Sequence, residues 1–267
     1  MKILQDNDEG GTFRNEYEVL RKIRDIIVDK QILESVPRAW CLEEMGGHLA
    51  LVESFVQGEK FHRRRRKAEL FQRSVNWLIQ FHQATASWKV LTSEDIKSYF
   101  IDPLVMFVND TKPKGEVEAF LAQVRKDIVS WSGRDIPLVL NHNDFIFSNI
   151  LFRPSGLSVV DWEFADYPSL PFGDFIHHCF RYVRLDKWLK EGRIVNFSNL
   201  PRKYRMVGEA FPCYLQALRL SEKDILALTV YYFIGRHFLY RSIGLVKEAE
   251  RNYERLIALA RERIVFL

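Results

Sequence analysis

Cysteine is scarce in this 267-residue sequence. Cys41, Cys179 and Cys213 are odd in number and widely scattered, with no C-x-x-C pair. That argues against a disulfide framework or a cysteine-based zinc site and for reduced thiols in the cytoplasm. Charge of one sign is not in excess either: 39 Lys and Arg face 35 Asp and Glu, and a net +4 says little about partners. The N-terminal "MKILQDNDEGG" lacks the basic-then-apolar order of a signal peptide. Long hydrophobic runs are missing. The longest, "ILALTVYYFIG", stops at Arg236, is too short to span a bilayer and reads as a buried helix. There is no internal repeat, no low-complexity tract beyond the arginines at 63–66, and no regularly spaced aromatic platform for nucleic acid. What is present is 47% apolar residues with well-mixed charges, the composition of an ordinary globular protein long enough for one large domain or two unequal lobes.

The apolar pattern predicts a small mixed N-terminal part. "MKIL" reads as the end of a strand and "QDNDEGG" as a polar turn. Leu20, Ile23 and Ile27 place one face of a helix over 13–30. "AWCLEE", Gly46-Gly47 and "HLALVESFV" read as a hairpin. "QGEKFHRRRRK" is a polar connector and the expected lobe boundary; its arginine run invites a phosphate-binding reading but is most simply a solvated segment. Helices follow over 66–86 (Phe71, Val75, Leu78, His82) and 116–130, separated by a loop-rich stretch containing Pro103 and Pro113. Short strands "LVLN", "NILF" and "LSVVDW" come next, the last two joined by "RPSG". After Gly173 the chain reads as helical, with Ser221 and Asp224 as a capping box opening a long helix to about Val246. His82, His177 and His178 are expected to pack rather than bind ligands, and the stripe Tyr231, Tyr232, Phe233, Phe238 and Tyr240 to be core.

Within those strands lies "VLNHNDFIFSNILF", residues 139–152. Asp144 and Asn149 flank one tight loop, and a hairpin returning through "RPSG" can bring Asp161 beside Asn149. Hard oxygen ligands of this kind suit Mg²⁺, which takes one or two protein groups plus phosphate oxygens and water. A carboxylate to spare can accept a proton from an attacking hydroxyl.

"HNDFIFSN" followed by "VVDWEFADYPSLPFGD" resembles the aminoglycoside phosphotransferase and choline kinase group of small-molecule kinases. The resemblance implies an α+β, protein-kinase-like two-lobed fold, with a truncated N-lobe over 1–56 and a mostly helical C-lobe over 57–267. It implies ATP and Mg²⁺ as cofactors. Asp144 would be the catalytic base; Asn149 and Asp161 would hold Mg²⁺; His142 and Asp174 would support the loop from behind. Upstream, Lys2 would pair with phosphates, and Glu16 (less readily Glu18) of "NEYEVLRKI" would pair with that lysine. The backbone around Glu53 to Phe55 would meet adenine, and Gly58 would turn the chain away. His82 would mark the end of "VNWLIQFHQAT".

The family carries two further strands and a phosphate-covering glycine-rich loop before the lysine strand, and these are missing here. A misassigned start, a fragment and a degenerate member all remain open; the chain as given is expected to bind ATP weakly and to expose an N-lobe edge prone to self-association. The expected function is transfer of the γ-phosphoryl of ATP to a hydroxyl of a small molecule such as a sugar, amino sugar or amino alcohol, with neither nucleic acid nor a transmembrane segment involved. The alternative is a nucleotide-binding pseudokinase or scaffold. A protein kinase is disfavoured by D-W-E in place of D-F-G and by the lack of an A-P-E segment. Arg181, Arg184, Lys187 and Arg205 lean the acceptor towards neutral or anionic molecules.

Overall fold

The computed structural model describes residues 2–3, 11–60 and 67–266. The chain divides into two units, each built from two stretches: Met1–Ser87 with Leu138–His178, and Trp88–Pro137 with Cys179–Leu267. In chain order the first stretch holds β1 (Lys2–Ile3), α1 (Gly11–Ile26), α2 (Lys30–Leu33), β2 (Ala39–Met45), β3 (His48–Glu53), β4 (Glu59–Lys60) and α3 (Lys67–Thr85). Then come β5 (Ser87–Val90), α4 (Ser93–Ile96), α5 (Asp102–Thr111), α6 (Glu116–Val129) and β6 (Asp135–Asn141). β7 (Ile150–Arg153), β8 (Gly156–Val159), β9 (Asp166–Ser169) and α7 (Gly173–Val183) follow. The chain continues through α8 (Leu185–Lys190), β10 (Val195–Asn196), α9 (Arg205–Ala217), α10 (Glu222–Ser242), α11 (Val246–Ala260) and β11 (Ile264–Val265). The arginine run at 63–66, the polar turn over 4–10 and the side chain of Lys2 lie outside the described residues.

In the first unit, α1 buries Val19, Leu20 and Ile23 on one face, with Glu16 among them. It ends at Ile26 rather than near residue 30, because Asp29 caps a new helix: its Oδ1 accepts from the amides of Gln31 (2.7 Å) and Ile32 (3.2 Å). The β2–β3 hairpin turns through Gly46 and Gly47, both at positive φ, and β1 pairs on the other edge of β3, Lys2 opposite Leu51. The expected connector contains a strand: β4 pairs with β7, Glu59 opposite Phe152.

Gly58 is what lets β4 approach. It sits at φ +144°, and a Cβ there would lie 2.7 Å from Leu151 Cβ and 3.0 Å from its carbonyl carbon. Gly58→Ala is therefore expected to cost about 1–3 kcal/mol, measured as a lower urea midpoint.

The β7–β8 hairpin is in register from Ile150 opposite Val159 to Arg153 opposite Gly156. Arg73 on α3 holds its turn, donating from Nη2 to the carbonyls of Arg153 (2.5 Å) and Gly156 (2.6 Å). Beneath the hairpin lies an aromatic stack. The Trp77 ring is 4.9 Å from Phe81 and 5.6 Å from Phe145, nearly parallel to both, and Phe81 is 5.2 Å from the fully buried Trp162.

The second unit departs from expectation between α4 and α6. The stretch read as loop is helical, with a π-helical turn over Lys97–Ile101 leading into α5. Pro103 sits in the first turn of α5, directly after the π-helical turn, and the helical run continues through it. The Ser221–Asp224 capping box opens α10 as expected, and Asp224 also takes a bidentate bond from Arg134 (2.8 and 2.9 Å). That helix stops at Ser242, short of Val246, and Gly244 at φ +77° redirects the chain into α11. Phe180, Phe197, Phe211, Phe233 and Phe266 form the core of this unit, with ring centroids 5.2–6.5 Å apart. Among the described residues, no helix is long and apolar enough to cross a membrane.

Candidate active site

The buried strand β6 delivers His142 to the start of a tight loop, and Asp174 in the first turn of α7 fixes that start. The two oxygens of Asp174 accept separately from the amides of His142 (2.6 Å) and Asn143 (2.8 Å). Its carboxylate is 1% exposed, with His82 Nε2 3.6 Å away. Burial alone would raise this carboxyl, but the adjacent His82 and His142 rings and the His142 amide outweigh it and hold the pKa below the ordinary carboxylate value. His82 thus braces Asp174 from inside the core.

The His142 ring faces the other way. Its Nδ1 accepts from the Asp144 amide at 3.2 Å, so Nε2 carries the proton and donates to the Val160 carbonyl at 3.0 Å. One ring ties the loop to the strand leading into Asp161. Asn143, at φ +60°, reaches the Phe164 carbonyl (2.9 Å), a second tie that the sequence reading did not assign.

Asp144 and Asn149 meet. Asn149 Nδ2 donates to the Asp144 carbonyl (3.0 Å) and to Asp144 Oδ2 (2.8 Å). Both partners are acceptors only, which settles the amide orientation and turns Asn149 Oδ1 away from Asp144. The Val160 amide donates to the Asn149 carbonyl (3.0 Å), so the loop runs directly alongside the residue before Asp161. Asp161 takes φ +73°, a sharp turn at the end of the hairpin. The side-chain oxygens of Asn149 and Asp161 are hard donors of the kind that suits a small divalent cation completed by phosphate oxygens and water. Among the described residues there is no cluster of three or more His, Cys, Asp or Glu able to hold a metal alone.

Glu16 is 1% exposed and accepts from the Trp162 amide (3.1 Å); the pairing expected with Lys2 involves a side chain outside the described residues. Beside it Asn15, which the sequence reading passed over, donates to the carbonyls of Glu163 and Ala165 (both 2.9 Å). The signal was a polar pair, Asn15-Glu16, next to the apolar face of α1. Glu53 ends β3 opposite Ala39, the Ser54 amide donates to the Arg38 carbonyl (2.8 Å), and Phe55 is 90% exposed.

The two histidines of α7 differ. His177 Nε2 lies 3.9 Å from Asp144 Oδ1. His178 is fully buried, stacked 5.1 Å from Phe71, and burial drives its pKa down to about 3. The Ser74 hydroxyl already donates to the Phe71 carbonyl (2.7 Å), so it accepts from His178 Nε2 (2.7 Å), and the ring is neutral packing.

Comparison with known proteins bears on this geometry. A search of the curated proteins found no match. The fold is similar to the apo form of a thermostable mutant of aminoglycoside phosphotransferase APH(4)-Ia, with 15% identity, TM-score 0.60, 97% of this chain and 93% of that one covered. It is also similar to a glucosamine kinase (15% identity, TM-score 0.50, 98% and 73% covered). Choline kinase from Cryptosporidium parvum Iowa II is a third (12% identity, TM-score 0.50, 97% and 79% covered). At these identities the likeness shows the fold, which is α+β and kinase-like. A family model described as the phosphotransferase enzyme family (APH) matches residues 3–205, an interval that contains Asp144, Asn149, Asp161 and Asp174. The chain belongs to the phosphotransferase enzyme family.

Proposed function

We propose that this protein is a small-molecule kinase that transfers the γ-phosphoryl group of ATP to a hydroxyl of its acceptor. The observation that carries this reading is the Asp144–Asn149 pair, locked to the loop by Asn149 Nδ2 and set beside the segment leading to Asp161. Asp144 would orient the acceptor hydroxyl and take its proton. Asn149 Oδ1 and the Asp161 carboxylate would hold Mg²⁺, which neutralises phosphate charge when bound. Residues 1–56 would supply the nucleotide side, with Lys2, Glu16 and the backbone from Glu53 to Phe55, and residues 57–267 the catalytic side.

Two neighbours lend support. The aminoglycoside phosphotransferase is known in a ternary complex with ADP and hygromycin B, and the glucosamine kinase with glucosamine, ADP and inorganic phosphate. A nucleotide donor and a polyhydroxylated acceptor are carried over from them as part of the proposal. The basic residues that leaned the acceptor towards neutral or anionic molecules support that lean less than their number implies. Lys187 pairs with Glu191 (3.6 Å) and Arg205 with Glu209 (2.9 Å), each one helical turn on.

The test is a Mg-ATP consumption screen over sugars, amino sugars, amino alcohols and nucleosides. A nucleotide-dependent melting shift with no turnover on any acceptor would favour a pseudokinase instead. Within the same assay, Asp161→Ala is expected to weaken Mg-ATP far more than metal-free ATP, and Asn149→Ala to do so less, because an amide carries no charge. Equal losses with and without Mg²⁺ in a titration would return Asp161 to a structural role.

A further inference from the structure

The turn at the far end of the β7–β8 hairpin borders a cleft of about 650 Å³ that lies wholly within the first unit. Arg73 and Arg153 both line it. Arg73 spends Nη2 on two carbonyls of the turn, and Arg153 spends Nη2 on the Leu157 carbonyl (3.1 Å). Carbonyl partners fix a guanidinium without neutralising it. Among the described residues neither arginine has a carboxylate partner, and Arg153 Nε is buried with no acceptor at all. Elsewhere in the molecule Arg134 is paired with Asp224 and Arg255 with Asp186. The cleft therefore concentrates two uncompensated positive charges against a single lining carboxylate, Glu34.

The rest of the wall is chosen for a polar body. Asn76 and Gln80 line it with side-chain amides from α3, which donate to and accept from hydroxyls; Asn76 Oδ1 already accepts from Gln72 Nε2 (2.9 Å), which leaves its Nδ2 to donate. Trp77 supplies an aromatic wall whose indole N–H is already used on Ser35 Oγ (2.8 Å). Planar guanidinium forks match phosphate oxygens. We propose that this cleft binds a phosphate monoester of a small polyhydroxylated molecule, at a site separate from Asp144. β7 has four residues, which at ~3.3 Å per residue puts the turn roughly 13 Å from Asn149. A ligand joining α3 to the turn would brace the hairpin whose other end carries Asn149 and leads to Asp161; this consequence rests on the proposed function, whereas the binding does not.

The experiment is calorimetric titration of the full chain, in Mg-free buffer at fixed ionic strength, with glucose 6-phosphate and with inorganic phosphate. Saturable binding of one equivalent of glucose 6-phosphate is expected, unchanged in Asp144→Asn and Asp161→Ala. It should weaken about tenfold or more in Arg153→Gln, which removes a charged donor. Gln80→Glu should weaken it as well, by placing a carboxylate in the cleft while leaving both arginines and their bonds in place, so a folding defect cannot imitate the result. Tighter binding of the ester than of inorganic phosphate supports recognition of the hydroxylated body; equal affinity overturns that part. No saturable binding overturns the proposal. So does binding abolished by Asp161→Ala but insensitive to Arg153→Gln and Gln80→Glu, which would place the phosphate at the nucleotide site. Binding that persists when the acceptor screen shows no turnover separates this proposal from the proposed function.

Discussion

Replacing Asp144 with Asn is expected to cut phosphoryl transfer by roughly 10²- to 10⁴-fold, the usual worth of a positioned general base, while ATP affinity stays close to that of the unaltered protein. The geometry makes this variant clean. Asn149 Nδ2 bonds both the backbone carbonyl and Oδ2 of Asp144, and an asparagine at 144 can still accept from it through its amide oxygen. The loop keeps its ties and loses only the charge and basicity of one group. The check is kcat in the ATP-consumption assay beside a nucleotide titration on the same preparation. Retention of more than about a tenth of kcat would remove Asp144 from the base role.

Asp174→Ala is expected to act on the fold. It strands the buried amide of His142 and the half-buried amide of Asn143, and removes the carboxylate beside the buried ring of His82. Removing one member of a buried charged network costs about 3–5 kcal/mol, which for a chain of this size lowers Tm by roughly 6–20 °C. The loss has a pH signature. The folded pKa of Asp174 lies below the ordinary value, so its stabilisation is complete above the unfolded value of about 3.9 and fades as pH falls through the folded value. Urea midpoints of the two proteins should therefore differ by a constant amount above about pH 5 and converge below it. A gap that persists undiminished to pH 3 would show that the carboxylate charge is not what holds the loop.

The sequence was most legible where chemistry is local. His142, Asp144 and Asn149 fall within eight consecutive residues, and Asp161 and Asp174 follow at distances that a hairpin and a helix start can span. Helices with a regular apolar face, α1, α3 and α6, were readable for the same reason. Legibility failed where a residue answers to something distant or where a signal has two meanings. Asn15 binds carbonyls 148 and 150 positions away, and nothing beside it announces them. Pro103 reads as a breaker, yet the helical run continues through it by way of the π-helical turn that precedes it. β4 has two residues and is called up by β7, not by its own propensity. The family motif indicated Glu16 through its expected partner Lys2, whereas the bond described is to the Trp162 backbone.

That last bond has a consequence for how the protein is made. Glu16 and the amide it accepts are separated by 146 positions. At synthesis rates of about 5–20 residues per second, the Trp162 amide leaves the ribosome roughly 7–30 s after Glu16. Through that interval the face of α1 that carries Glu16 and the β2–β3 hairpin beside it must form without the segment that later supplies the Trp162 amide. Assembly of the turn at Asp161 is thus a late event in the life of the nascent chain. A truncation between Ile26 and Trp162 would release a product that contains the whole of α1 but lacks the Trp162 amide that Glu16 accepts from.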